Sequence, residues 1–433
     1  MESGRHPSRP LFVGFLAAVA ATPYPGSYWA LAVLSATILL DLAWLRRPLV
    51  MSRLVLLVLT WWGLSVTWAV APSLTVRNGF LIGLVTVAAG LSANASGIEE
   101  TLKALLTASK VLLVASWTMF LTVPSIGRTQ GVYQAGTFEG VFVQRNVTAF
   151  FCVVATLSFA VAAGVRPAGV SRGRSILWAA ATIGTLLLTA SSTGLAVLLA
   201  SGSVLSLLIL ASRAVTTVRR RVLVGCALVP VIALALWLPF NLGLVSELFG
   251  RDATLTGRSV IWAVVGDAVG REPWLGYGYG ALWTAGVPLT DGLWAQAGFA
   301  FYHAHSAFWD YLAQVGIVGL VLVISLLLVT AARASRWLIS GGGGLAATWP
   351  VGITVCLLLY AIDEQSFASQ FGWTLAVMAA SVTKGATAPV SQTTQVHVTE
   401  VLTGTSPRVG SPRPARSSPG RRRSASTGAD KNK

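Results

Sequence analysis

Charge is what this chain has least of: Asp, Glu, Lys and Arg make up 11% of its 433 residues, and only 15 of those are acidic. Soluble globular domains carry about 25% charged residues, so a water-facing globule is excluded. Cysteine is nearly absent. Cys152, Cys226 and Cys356 all fall inside apolar stretches, which suits small packing residues better than a disulfide framework. Histidine is rare as well, with His303 and His305 close together and only His6 and His397 elsewhere.

What remains is apolar, with 54% hydrophobic residues and a mean hydropathy of +0.71. That composition predicts an all-α polytopic membrane protein. A hydrocarbon layer takes about 20 apolar residues per helix. Twelve stretches are placed on that basis, at about 10–23, 27–45, 52–70, 77–94, 103–123, 147–165, 175–190, 195–212, 222–240, 306–330, 344–361 and 369–384. One large loop separates the ninth from the tenth, over residues 241–304.

Basic residues orient the stack, because short cytoplasmic loops carry the excess of Lys and Arg. Arg46, Arg47 and Arg53 share one loop, Arg166, Arg172 and Arg174 a second, Arg213 with Arg219, Arg220 and Arg221 a third, and Arg333 with Arg336 a fourth. These loops alternate. The opposite side carries Arg77, Arg128, Arg145, Arg251, Arg258 and Arg271, offset by Glu139, Asp252, Glu272 and Asp291. The expectation is a multi-pass protein of the cytoplasmic membrane with both termini cytoplasmic and the large loop outside. A cleavable signal peptide ending near Ala18 to Ala21 is a competing reading of the first segment.

Residues 1–384 then form the membrane domain. Residues 385–433 turn to Ser, Thr, Pro and Arg, with Arg421, Arg422 and Arg423 in a run, and read as a disordered basic cytoplasmic tail. Such a tail either rests on anionic membrane lipids or stays solvated and enforces topology. The inside loops and tail account for the +16 net charge, so nucleic acid is not expected as a partner.

Several outside stretches carry chemistry. Gln144-Arg145-Asn146 stands just before a helix, whose N-terminus already offers unpaired N–H groups and a partial positive charge, so an arginine there suits a shared anion. The plainer reading is Asn146 as an N-cap and Arg145 as a headgroup anchor. Ser191-Ser192-Thr193-Gly194 suits a tight turn between helices. In the large loop Thr256 is placed to cap a helix with Arg258 in its first turn, and Ile261, Trp262 and Val265 form an apolar stripe able to lie on the membrane surface. Pro273 to Gly280 alternates glycine with aromatics, including Tyr277 and Tyr279, which reads either as a shaped wall for sugar or as an interfacial belt.

His303-Ala304-His305-Ser306 leads into Phe308, Asp310, Gly316 and Gly319 at the start of an apolar helix. A zinc site would need a third donor, and His6 and His397 fall on the inner side, so no metal is expected. His305 is either a structural imidazole bonded to a carbonyl or a neutral base able to accept a proton from a hydroxyl.

His305-Ser306-Ala307-Phe308 with Leu312, followed by Gly316-Ile317-Val318-Gly319, resembles the histidine motif of the bacterial O-antigen ligase and O-antigen polymerase family. Gln144-Arg145-Asn146, the segment from Gly257-Arg258 to Trp262, and Pro273 with the glycines from Gly276 match in the same order. The likeness extends over residues 130–330. It implies a GT-C-like membrane glycosyltransferase that moves a glycan from undecaprenyl diphosphate to an acceptor hydroxyl on a glycan or lipid, outside the cytoplasmic membrane, with no cofactor and no metal. One departure stands out: Ser192 occupies a turn position where family members often carry arginine.

The implied roles follow from the chemistry. A diphosphate leaves readily once its charge is met by arginines and helix N-termini. That assigns Arg258 and Arg145 to the diphosphate and His305 to the acceptor hydroxyl, with Asn146, Ser192, Trp262, Tyr277, Tyr279, His303 and Asp310 as substrate-binding candidates. A rival from another class is a polytopic transporter or lipid-linked glycan flippase, for which Asp41 is the main isolated charge within a span.

Overall fold

In a computed structural model of the chain, residues 8–21, 27–44, 51–130, 134–142, 144–237 and 257–384 are described. All belong to one compact unit within Met1–Ala388. Arg5, Arg46, Arg47, Arg251, Asp252, Thr256 and the tail lie outside the described residues, and so do both termini.

The described residues are helical and contain no strands, apart from an isolated bridge between Arg128 and Phe138. The principal helices are α1 (Arg9–Ala20), α2 (Ser27–Trp44), α3 (Arg53–Leu64), α4 (Pro72–Thr122), α5 (Arg145–Val165), α6 (Arg172–Leu188), α7 (Ser192–Arg213) and α8 (Thr217–Trp237). They continue with α9 (Arg258–Arg271), α10 (Pro288–Ala297), α11 (Ala307–Ser340), α12 (Thr348–Tyr360) and α13 (Gln370–Lys384). Each apolar stretch named above is helical in its described part. Among the described residues four helices, α4, α5, α7 and α11, are long and apolar enough to cross a bilayer, which fits a multi-pass membrane protein.

Two of those four are broken by glycine. Gly97 in α4 has φ 70° and ψ 177°, and Gly316 in α11 has φ 67° and ψ −173°, a region almost reserved to residues without Cβ. The first break explains why α4 carries two apolar stretches. The second organises the loop above it. A broken helix leaves N–H and C=O groups unpaired, and the segment from Pro273 to Gly280 supplies the missing partners. Ile317 N–H donates to the Pro273 carbonyl at 2.8 Å, Tyr277 N–H to Ala313 at 2.9 Å and Gly278 N–H to Gln314 at 2.8 Å. Trp61 Nε1 donates to the Val315 carbonyl at 3.0 Å.

The alternating glycines permit this docking. A Cβ on Gly276 would lie 2.7 Å from the Gly316 nitrogen, and one on Gly316 would run into the Trp274 carbonyl oxygen. The tyrosines of this segment, Tyr277 and Tyr279, are partly buried and make contacts within the protein. Tyr279 stacks on Trp62 at 4.2 Å with planes 11° apart, and the Tyr277 hydroxyl donates to the Ala268 carbonyl at 2.8 Å. Trp274 of the same segment stays 64% exposed.

The helix expected near Thr256 is α9, whose N-cap is Gly257 at φ 86°. Its apolar stripe does not face lipid. Ile261 and Val265 are buried against Leu282, Leu293 and Phe301 in a second small core, because the large loop has enough apolar residues to close over itself and removing them from water is favourable. Asp41 likewise acts locally, accepting a hydrogen bond from Ser8 N–H at 2.9 Å that ties the start of α1 to α2.

Candidate active site

The site is built around the connection from α12 to α13, residues 361–369, where Asp363 and Glu364 interrupt an apolar run. Glu364 is 6% exposed. Its Oε1 accepts from Asn146 Nδ2 at 2.7 Å and from Arg258 Nη2 at 2.5 Å, while Oε2 lies 3.7 Å from His305 Nδ1. Asp363 accepts from Arg258 Nη1 and from Thr193 Oγ1, both at 2.5 Å. Two adjacent acids thus gather the starts of α5, α7 and α9 and the segment before α11.

This arrangement changes the parts given to several residues. Arg258 is buried and its fork is engaged by two carboxylates, so here it anchors the acids. Asn146 is not the N-cap of α5; that position belongs to Gln144. Glu364 meets this helix start through the Asn146 side chain. Arg145 Nη1 donates to the carbonyls of Thr189 at 3.3 Å and Ala190 at 3.0 Å, which places it on the turn before α7. Ser192 opens α7 behind an N-cap at Ser191, whose Oγ accepts from Gly194 N–H at 3.2 Å. The turn reaches the acids through Thr193, which sequence reasoning did not select.

His305 has φ 52°, a left-handed conformation costing about 1–3 kcal/mol for a non-glycine residue unless its surroundings enforce it. The enforcement is visible. Ala307 N–H donates to the carbonyls of Ala361 at 2.9 Å and Glu364 at 3.0 Å, and Ser306 Oγ donates to Ala361 at 3.1 Å instead of capping α11. Asp310 is buried and accepts from Ala304 N–H at 3.1 Å, and Trp262 Nε1 donates to the Ala304 carbonyl at 2.8 Å. Asp310 and Trp262 therefore brace the histidine segment through Ala304.

Electrostatics follow from the same contacts. Burial alone would raise the Glu364 pKa, but His305 and the Arg258 charge more than offset it and hold the carboxyl below its usual range. His303 is pushed down to about 3, by burial first and then by the nearby His305 and Arg258. Its Nδ1 accepts the His305 N–H at 3.1 Å, which needs a bare ring nitrogen. A neutral imidazole thus supports the backbone of the next one.

Both imidazoles open onto a cavity of about 360 Å³, whose lining includes Gln144, Phe299, Phe301 and Tyr302. Arg145 and Arg258 do not line it. Donor atoms of His303, His305 and Glu364 lie within 4.8 Å of one another, so a third donor exists that a count of histidines alone overlooked. Arg258 already balances that carboxylate, and His303 Nδ1 is already engaged. A divalent ion would have to share Glu364 with a guanidinium.

The two acids were legible in part. A pair of carboxylates between two apolar helices is costly without partners, which marks it as functional or structural. The arginines and histidines, being already on named motifs, drew attention from it.

Residues 176–324 match the family described as O-Antigen ligase. The chain is also 28% identical, over 279 residues, to the exopolysaccharide production protein ExoQ of Rhizobium meliloti (strain 1021). That likeness covers 62% of this chain and 61% of the relative, less than two thirds of its length. The family match spans Ser192, Arg258, His303 and His305, while Arg145, Asn146, Asp363 and Glu364 lie outside it.

Proposed function

We propose that this chain, whose residues 176–324 match the O-Antigen ligase family, transfers a glycan from an undecaprenyl-diphosphate-linked donor to an acceptor hydroxyl at the outer face of the cytoplasmic membrane. The observation that carries this reading is the shared carboxylate of Glu364, which meets Arg258 and Asn146 on one oxygen and faces His305 with the other.

In the transfer step the acceptor hydroxyl gives its proton to His305 while its oxygen forms a bond to the anomeric carbon. The bond from that carbon to the diphosphate breaks, and the diphosphate leaves with the electron pair. A single displacement inverts the anomeric centre. Ionised Glu364 stabilises the imidazolium that forms, as a carboxylate does beside any histidine base. Arg258 fixes both acids, so the diphosphate falls to Arg145 and the helix starts around it. No step calls for a metal ion or a cofactor.

The fuller picture has twelve crossings in a GT-C-like arrangement with both termini cytoplasmic. The name of the relative favours a product that is an exopolysaccharide, and both polymerase and ligase chemistry use the same displacement. The lipid-linked glycan that accumulates in a deletion strain separates them: short units mark a polymerase and finished chains a ligase. His305→Ala at equal membrane abundance tests the reading itself, since unchanged glycan assembly would remove it.

A further inference from the structure

The cavity beside the histidines differs in chemistry from the cluster behind them. Among the described residues its lining holds no Lys, Arg, Asp or Glu, only three aromatic rings, Ile261, Ala300, the two imidazoles and Gln144. A diphosphate would find no countercharge there. The walls are aromatic faces left open: Phe299 is 43% and Tyr302 67% exposed, although burying such rings would be favourable.

These rings are held in place. Trp294 meets Tyr302 edge to face at 5.5 Å and donates through Nε1 to the Phe301 carbonyl at 2.6 Å. Phe299 packs against Phe301 at 6.2 Å and lies over Gly257, where an added Cβ would come within 3.3 Å of its ring. Opposite them the Gln144 side chain has no hydrogen-bond partner among the described residues, although its backbone caps α5. A braced aromatic wall, an available amide and an imidazole, around a space near the low end of the about 300–1,000 Å³ typical of small-ligand pockets, suit one flat, neutral, hydroxyl-rimmed ring.

We propose that this cavity is the acceptor subsite, taking a neutral pyranose ring whose C–H face stacks on Phe299 and Tyr302, with Gln144 and His305 meeting its hydroxyls. The proposal rests on the glycan-transfer reading and adds to it the place and class of the acceptor. The ring is oriented by stacking, and the hydroxyl that reaches His305 is the one activated. Charge thereby sorts the two substrates: the diphosphate goes to the arginine side and the uncharged sugar to the aromatic side.

The test uses the full chain in nanodiscs free of sugar detergents, with the methyl glycosides of glucose, galactose and N-acetylglucosamine as probes in saturation-transfer NMR. Ring C–H protons of at least one glycoside should receive saturation. Tyr302→Ala and Phe299→Ala should abolish it, and Tyr302→Phe, which keeps the ring, should retain it in a protein of unchanged melting temperature. In the transfer assay the alanine variants should raise the acceptor KM about tenfold while leaving kcat within about twofold. Saturation confined to lipid acyl protons, or glycoside signals that survive both alanine variants, would overturn the subsite. Transfer activity with an unchanged acceptor KM in those variants would also overturn it and leave the enzyme reading standing. Ring-dependent glycoside binding without any transfer would uphold the subsite and sink the enzyme.

Discussion

Glu364 Oε1 lies 2.5 Å from Nη2 of Arg258, a residue 106 positions earlier in the chain. That contact closes the large loop onto the α12–α13 connection and sets the carboxylate that faces His305.

Removing the base should be far worse than removing its neighbour. His305→Ala is expected to lower glycan assembly by about 10²–10⁴-fold, the usual contribution of a positioned base. His303→Ala should cost much less, because that ring only receives the His305 N–H. Assembly measured at matched membrane abundance checks this, and equal losses from the two variants would count against His305 as the proton acceptor.

The acids should behave as a unit. Breaking a buried pair commonly costs about 3–5 kcal/mol, but in Glu364→Gln the guanidinium keeps Asp363, so the loss should fall at or below the lower end. Asp363→Asn should behave alike. Together they leave Arg258 buried without a countercharge, so the double variant should lose more than the sum of the singles in thermal unfolding. Strict additivity would show two independent contacts.

Acid should loosen the fold through His303. The group titrates near 3 in the folded protein and near 6.5 when unfolded, so between those values the unfolded chain binds more protons and stability falls as pH drops. Glu364, also held below its ordinary value, acts in the same direction but only under about pH 4.5. Melting temperature followed from pH 7 to 4.5 should therefore decline less in His303→Gln than in the parent. Parallel curves would contradict the burial of a neutral ring.

The two broken helices should differ in tolerance. Gly97→Ala meets only backbone strain, with nothing within 4 Å of the new methyl, whereas Gly316→Ala adds a clash with the Trp274 carbonyl. Strain alone is worth about 1–3 kcal/mol. Gly316→Ala should show the larger drop in melting temperature and membrane abundance, and a reversed order would disprove the docking described at that break.

Helix placement was readable from the apolar runs because lipid imposes one simple demand on every span. The site was readable only where a short motif carried it: His305, Arg258, Arg145 and Asn146 stood out, and the fold brings all four to one end of the helices. Asp363 and Glu364 were missed because their meaning depends on side-chain partners 59 and more residues away in sequence, His305 being the nearest, Arg258 at 105 and 106, Thr193 at 170 and Asn146 at 218. Tyr277 and Tyr279 show how far spacing alone can be read. Their glycine spacing does signal close approach, but the surface approached is the broken backbone at Gly316.

That break also separates two demands that an unbroken rod would have fused. The helix beneath it answers to bilayer thickness and adjusts by tilting, whereas the turn above is pinned by the loop that bears the acids. Rocking of the lower helix would then be taken up at one peptide unit, at Gly316, and would not be passed to the segment that carries His305.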